Sequence, residues 1–192
     1  VKRENKDARM AEIEAAAYAL LAKFGYENIS MLKIAKAAKA SNETLYNWYG
    51  DKKGLFAAMI RRNASATLSA LDDSMLHQDV PEVVLKRASK TLLTMLMSTN
   101  AIALNKAAAG DATGELGQVL NEEGRRKVAP KFLPLIEHLN TARPAADTLE
   151  IYLSVLIGDW QIKRVIGVMT APESTEIDAR IERAIRVVQN LS

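Results

Sequence analysis

The residues best suited to chemistry fall between positions 41 and 53. Ser41-Asn-Glu-Thr-Leu-Tyr-Asn-Trp-Tyr49 reads as a short helix with Ser41 as its cap. Leu45 and Trp48, three residues apart, share an inward face. Asn42, Glu43, Thr44, Tyr46 and Asn47 are left for the outer face. These side chains can read nucleic acid: Asn bonds adenine edges, Glu accepts from cytosine, and Thr touches a thymine methyl. Glu43 also reads simply as a carboxylate at the positive end of its own helix dipole. Lys52 and Lys53 open the next helix, where a cation and free backbone N–H groups can together meet a phosphate.

Catalysis finds little support. His77 and His138 lie far apart and lack metal-ligand spacing. Cysteine is absent, which excludes disulfides, thiolate metal sites and a cysteine nucleophile. No Gly-rich loop is placed to cradle a phosphate. Glu122-Glu123 beside Arg125-Arg126-Lys127 reads as a solvated helical face. The expectation is a protein that is not an enzyme, with no cofactor and no metal.

The elements that must position residues 41–53 are helices. The chain has 192 residues, 48% hydrophobic and 26% charged, within the range of a folded globular protein. Aromatics are 5%, while Ala, Leu, Ile and Met abound, which favours helix over sheet. Net charge is +3. Residues 1–55 hold 10 Lys/Arg against 7 Asp/Glu, whereas residues 56–192 hold 16 of each. The whole excess lies in the first quarter, which favours an anionic partner there. No apolar run approaches the ~20 residues that span a bilayer. The start, Val-Lys-Arg-Glu-Asn-Lys-Asp, lacks the apolar segment of a signal peptide and the initiator Met, so a cytoplasmic protein cut from a longer chain is expected.

The apolar spacing predicts helices almost throughout. Met10, Ile13, Ala17, Leu20, Leu21 and Phe24 share one face of a helix over 5–24 that stops at Gly25. Ser30 caps a second helix, with Leu32 or Ile34, Ala35 and Ala38 inward; Ser41 caps a third; Asp51 caps a fourth over 52–76. The stretch His77-Gln-Asp-Val-Pro81 is a break, and Pro81 suits the first turn of a helix over 81–100. Further helices are expected over 102–110, 115–139 with a kink near Ala129, 145–169 and 174–191. The fold class is all-α with about nine helices. Residues 1–51 would form a three-helix helix-turn-helix domain, and residues 52–192 a second, larger helical domain, with the fourth helix joining them.

The run Ile34-Ala-Lys-Ala-Ala-Lys-Ala-Ser-Asn-Glu-Thr-Leu-Tyr-Asn-Trp-Tyr-Gly-Asp-Lys-Lys-Gly-Leu55 closely resembles the signature of TetR/AcrR-type transcriptional regulators. Ile34, Ala35, Ser41, Thr44, Leu45, Tyr46, Lys52 and Leu55 fall in register. Residues 102–139 look, more weakly, like the AefR-like subgroup. The resemblance implies a dimeric DNA-binding repressor released by a small ligand. By position it implies phosphate contacts from Ser30, Thr44, Tyr46 and Lys52, and base contacts from Asn42, Glu43 and Asn47. Basic residues at the start of the chain would reach the backbone. Two positions depart from the pattern. Lys39 stands where the family usually has Gly, and its charge would face DNA beside Ser41; Ala40 replaces the usual Val.

Dimerisation is expected on the last two helices. Ile177, Ile181, Ala184 and Val188 form one stripe, and Ile151, Val155, Ile162 and Ile166 lie on a helix that is apolar nearly all round. A reading head that grips one half-site needs a symmetric partner. Met95, Met97, Leu104, Phe132, Leu135, Tyr152 and Trp160 are candidates to line an apolar ligand pocket, with Asn105, His138 and Asp159 as polar candidates. An ordinary filled core explains any one of them equally well. The function expected is a homodimeric regulator bound to a palindromic double-stranded operator and released by a largely apolar ligand. The alternative is a helical small-molecule or protein-binding module whose helix-turn-helix no longer grips DNA.

Overall fold

The structure, a computed structural model, describes residues 2–76, 80–139 and 142–191. Residues 77–79 of the expected break at His77 lie outside the described residues. Among the described residues every regular element is helical and none is a strand.

The first helices start and stop where side chains satisfy their backbone ends. α1 (Lys2–Phe24) ends at Gly25, whose φ of 71° reverses the chain. α2 (Met31–Ala37) begins at Ser30, whose hydroxyl accepts from Lys33 N at 3.3 Å. α3 (Asn42–Tyr49) begins at Ser41, whose hydroxyl accepts from Thr44 N at 3.0 Å. α4 (Lys52–Leu76) is capped by Asp51, which accepts from Gly54 N at 2.7 Å. One inward assignment on α1 is corrected: Phe24, its last residue, is exposed. On α2 the inward side chains are Ile34, Ala35 and Ala38, joined by Met31, while Leu32, the alternative to Ile34, points to solvent.

The later helices follow the expected order with more interruptions. α5 (Pro81–Leu96) carries Pro in its first turn, and α6 (Thr99–Ala109) follows. The expected long helix over 115–139 is α7 (Glu115–Leu120), a π-helical turn (Asn121–Arg125), α8 (Arg126–Val128), a 3-10 turn (Ala129–Phe132) and α9 (Leu133–Ile136). The 3-10 turn holds Pro130, which has no N–H to continue the helical ladder. The expected single helix over 145–169 is two: α10 (Ala145–Ile157) and α11 (Trp160–Val165). α12 (Ser174–Gln189) begins with a reciprocal capping box between Glu173 and Glu176.

The break between α10 and α11 has a physical cause. Gly158 adopts φ 50°, ψ −132°, a region that only glycine occupies cheaply. From α12, Arg180 donates to the freed carbonyls of Val155 and Leu156 at 3.0 and 3.1 Å. Its guanidinium lies 4.8 Å from the centre of the Trp160 ring. A Cβ on Gly158 would stand 1.8 Å from that guanidinium.

Packing divides the chain into two units. Residues 1–62 and 103–123 form the first, and residues 63–102 and 124–192 the second. The first core gathers Ile13, Ala17 and Leu21 of α1, Ile34 of α2, Leu45 of α3, Leu55, Phe56 and Met59 of α4, and Leu104, Leu116 and Val119. The second gathers Leu85, Leu92 and Leu93 of α5, Phe132, Leu135, Ile136, Tyr152 and Leu156, and the Ile177–Val188 stripe of α12.

Glu14 is buried in the first core, with one oxygen on Arg62 Nε at 3.1 Å and the other without a partner. Burial pushes its carboxyl above the ordinary value of 4.5, against the lowering pull of Arg62. The folded state therefore prefers the protonated acid more than the unfolded chain does. This contribution to stability is present below pH 4.5 and is lost as pH rises through the folded value.

Two outcomes are expected in urea unfolding. Gly158→Ala lowers stability by about 2–4 kcal/mol, and by less in an Arg180→Ala background where the steric part is gone. Glu14→Gln is favoured over wild type by a margin that widens from acid to neutral pH; a margin that does not vary with pH would contradict the assignment.

Candidate nucleic-acid interface

The outer face of α3 carries Asn42, Glu43, Tyr46 and Asn47, all exposed. On the opposite side Leu45 is fully buried and Tyr49 nearly so, with Trp48 half-buried. The Tyr49 hydroxyl has no partner, and burial pushes it up to about 12. Thr44 is half-buried, and its hydroxyl lies 2.8 Å from that of Ser41, so each occupies the other. Lys6 of α1 stands 5.3 Å from the centre of the Trp48 ring. Among the expected backbone contacts, the side chains of Lys2 and Arg3 lie outside those described.

The turn from α2 to α3 is a left-handed reversal at Lys39, with φ 50°. Ala40 N donates to Ala35 O at 2.9 Å and Lys39 N to Lys36 O at 3.3 Å. This pair of bonds is the glycine-type helix stop, built here on lysine. Arg9 of α1 donates from Nη2 to Lys39 O at 2.7 Å and pairs with Glu12. The Lys39 side chain is exposed. Lys39 stands out in the sequence as a departure at the turn, but Arg9 does not, because its spacing carries no signal for a contact thirty residues away.

The junction from α3 to α4 is equally tight. A Cβ on Gly54 would lie 2.0 Å from the Tyr49 carbonyl oxygen, so only glycine lets α4 start against the end of α3. Lys52 is half-buried, and its ammonium is engaged inside the unit. It donates to Tyr26 O at 3.1 Å and sits 4.0 Å from the centre of the Tyr26 ring. The Tyr26 hydroxyl donates to Glu115 at 2.6 Å, and the Glu27 carboxylate accepts from Ala112 N at 2.9 Å. Neither Tyr26 nor Glu27 belongs to any motif that spacing could reveal. Lys53, beside Lys52, is exposed.

Phe132, Leu135, Tyr152 and Met97 are buried in the second unit, with Met95 and Trp160 half-buried against its core. Leu104 and Asn105 lie in the first unit, apart from that group, because residues 103–123 pack with α1–α3. His138 is exposed, as is Asp159, which pairs with Lys163 at 2.6 Å. Ile177, Ile181, Ala184 and Val188 are buried in the core of their own unit, which removes them from any surface. Ile151 and Val155 are half-buried, and Ile162 and Ile166 are 55% and 62% exposed.

An exposed polar helix held at a tight turn against a helical core is a helix-turn-helix, the form that presents its second helix to a DNA groove. Residues 13–59 match the family described as bacterial regulatory proteins of the TetR family. A TetR transcriptional regulator from Agrobacterium tumefaciens is 26% identical, with 93% of this chain and 91% of that one covered at a TM-score of 0.68. The flavonoid-responsive regulator FrrA is 22% identical over 95% of both chains, also at 0.68. The regulator FadR from Bacillus subtilis, solved with stearoyl-CoA, is 14% identical over 94% of this chain and 97% of that one, at 0.66. The search of curated proteins returned no match. Over residues 13–59 the chain carries the helix-turn-helix segment of the TetR family, and over its length it shares the fold of solved TetR-type regulators. No described helix is long and apolar enough to cross a membrane.

Lys39→Gly is expected to raise stability by about 0.5–1 kcal/mol, because glycine takes the left-handed turn without strain. Arg9→Ala is expected to lower it by about 1–2 kcal/mol in wild type and by less beside Lys39→Gly. Equal losses in the two backgrounds, measured by urea unfolding, would separate Arg9 from the turn.

Proposed function

We propose that the chain is a homodimeric repressor that grips a palindromic operator through α3 and is released by a small, largely apolar ligand. The observation that carries this reading is the exposed set Asn42, Glu43, Tyr46 and Asn47 on one face of a helix whose other face is core. Asn42, Glu43 and Asn47 face bases, and Tyr46 lies at the groove edge against a phosphate. Ser30, Lys39, Ser41 and Thr44 flank them toward the backbone. Lys52 contributes through its helix end and the position of its charge, since its ammonium already holds Tyr26. The positive excess of residues 1–55 supports the same partner.

The second unit binds the effector, with Met95, Met97, Phe132, Leu135, Tyr152 and Trp160 around it. The small-molecule control named for FrrA and the stearoyl-CoA held by FadR support ligand control here. A second copy docks on the outer residues Ile151, Val155, Ile162 and Ile166, the apolar side chains that the core leaves at least partly open. The site of action is the cytoplasm, where the operator is. α4 and α6 contribute residues to both units, so each carries a change in one to the other. Operator binding needs two heads about one helical turn apart, ~34 Å. A ligand that prefers another spacing weakens DNA binding by linkage.

The internal engagement of the Lys52 ammonium favours a second reading, a ligand-binding module whose head no longer grips DNA. Retardation of the DNA upstream of its own gene separates the two. Wild type should shift that DNA in a salt-dependent way. Asn47→Ala should change which sequences are preferred. Lys52→Ala should weaken all of them alike and flatten the salt dependence by less than one full phosphate contact, since its ammonium already holds Tyr26. Failure of wild type to retard this DNA at low salt would favour the second reading.

A further inference from the structure

Every buried polar side chain described in the second unit is a hydroxyl. Thr67 on α4, Ser89 on α5 and Thr148 on α10 are each 0% exposed, as is Tyr152 one turn after Thr148. Ser89 and Tyr152 bond each other at 2.7 Å. One proton holds that pair, and the second remains able to donate. The oxygens Thr67 Oγ1 and Thr148 Oγ1 have no hydrogen-bond partner. Buried polar atoms are normally paired, so two open hydroxyls in one apolar core call for an acceptor or donor that belongs there.

Charge is missing from the same core. Among the described residues of this unit, no Lys, Arg, Asp or Glu is buried. The two arginines that turn partly inward are occupied: Arg164 on the carbonyls of Met97 and Met169, and Arg180 on those of Val155 and Leu156. An ionic ligand group buried there would lose its water and find no unpaired counter-charge, since Glu182, the carboxylate that acts on Tyr152, is already paired with Lys86 at 2.7 Å. A neutral hydroxyl or carbonyl would complete the open hydroxyls.

We propose that Ser89, Thr148 and Tyr152 are the polar contacts of the effector and that the effector is uncharged: an apolar molecule with one or two hydroxyl or carbonyl groups. This rests on the reading of the second unit as the effector-binding part. Burial pushes the Tyr152 hydroxyl up to about 12, which keeps it a neutral donor. Thr67, on α4, places the other open hydroxyl on a helix that also reaches the first unit.

The test uses the full chain and three probes with one skeleton: heptylphenol, heptylbenzoate and heptylbenzylammonium. Calorimetry should show heptylphenol bound at least about tenfold more tightly than either ion. Ser89→Ala and Thr148→Val should each cut that preference to about threefold or less. Thr148→Val keeps the side-chain shape and removes an unpaired oxygen, so its Tm should equal or exceed that of wild type. Equal or tighter binding of an ion, no binding of heptylphenol, or an unchanged preference in both variants overturns the proposal. DNA retardation on the same preparations reports on the regulator reading separately. Preferential heptylphenol binding with no effect on retarded DNA leaves the ligand site standing and removes its role as an effector site. Release of DNA by an ion alone does the reverse.

Discussion

The left-handed peptide at Lys39 is the constraint on which the reading head depends. The chain leaves α2 and enters α3 within the single reversal that Lys39 makes. A β-carbon makes that conformation costly. Two backbone bonds close the turn on the α2 side, and Arg9 of α1 binds the Lys39 carbonyl from outside. Three helices thus meet at one residue. With the reversal held, Leu45 and Tyr49 reach the core, and the polar residues of α3 are turned outward as a consequence. The same helix is fixed at its far end by the glycine contact between Gly54 and the Tyr49 carbonyl.

Local chemistry was readable from residue types. Ser30, Ser41 and Pro81 start helices, and Gly25 stops one, because each answers a backbone requirement within four residues of itself. The outward set on α3 was readable for the same reason: a period of 3.6 separates Leu45 from Tyr46 and Asn47. Long-range contacts were not. Nothing near Tyr26 announces that it lies between Lys52 and Glu115, and nothing near Leu104 places it in the core under α1–α3. Gly158 was hidden for a different reason. An apolar run continues on both sides of it, and the break shows only when Arg180 arrives to take the carbonyls that the helix releases.

Periodicity also cannot say whose core an apolar stripe enters. The stripe of α12 is as regular as a coiled-coil seam, and it is used within its own unit against α5 and α10. The break at Gly158 has the opposite effect. It ends α10 and starts α11 afresh, so Ile162 and Ile166 are left in water. Two isoleucines that sequence reasoning grouped with Ile177 and Ile181 therefore differ from them physically. One pair is held in the core, and the other is free to be covered by something else.

The charge of the head settles less than its geometry. The excess over residues 1–55 is three positive charges, and one of the lysines concerned, Lys52, already faces a tyrosine ring. A field of that size draws DNA without regard to sequence. Discrimination has to come from groups that meet base edges, since phosphate contacts carry no sequence information directly. In the proposed complex the exposed amides of Asn42 and Asn47 and the carboxylate of Glu43 are the groups offered to the bases, and their direction is set by the turn. There a carboxylate facing DNA costs affinity wherever it finds no donor, so Glu43 would penalise every sequence that lacks a cytosine amino group within its reach. In the proposed complex, attraction is diffuse and weak, and selectivity depends on how firmly Arg9 and Lys39 hold α3 in register.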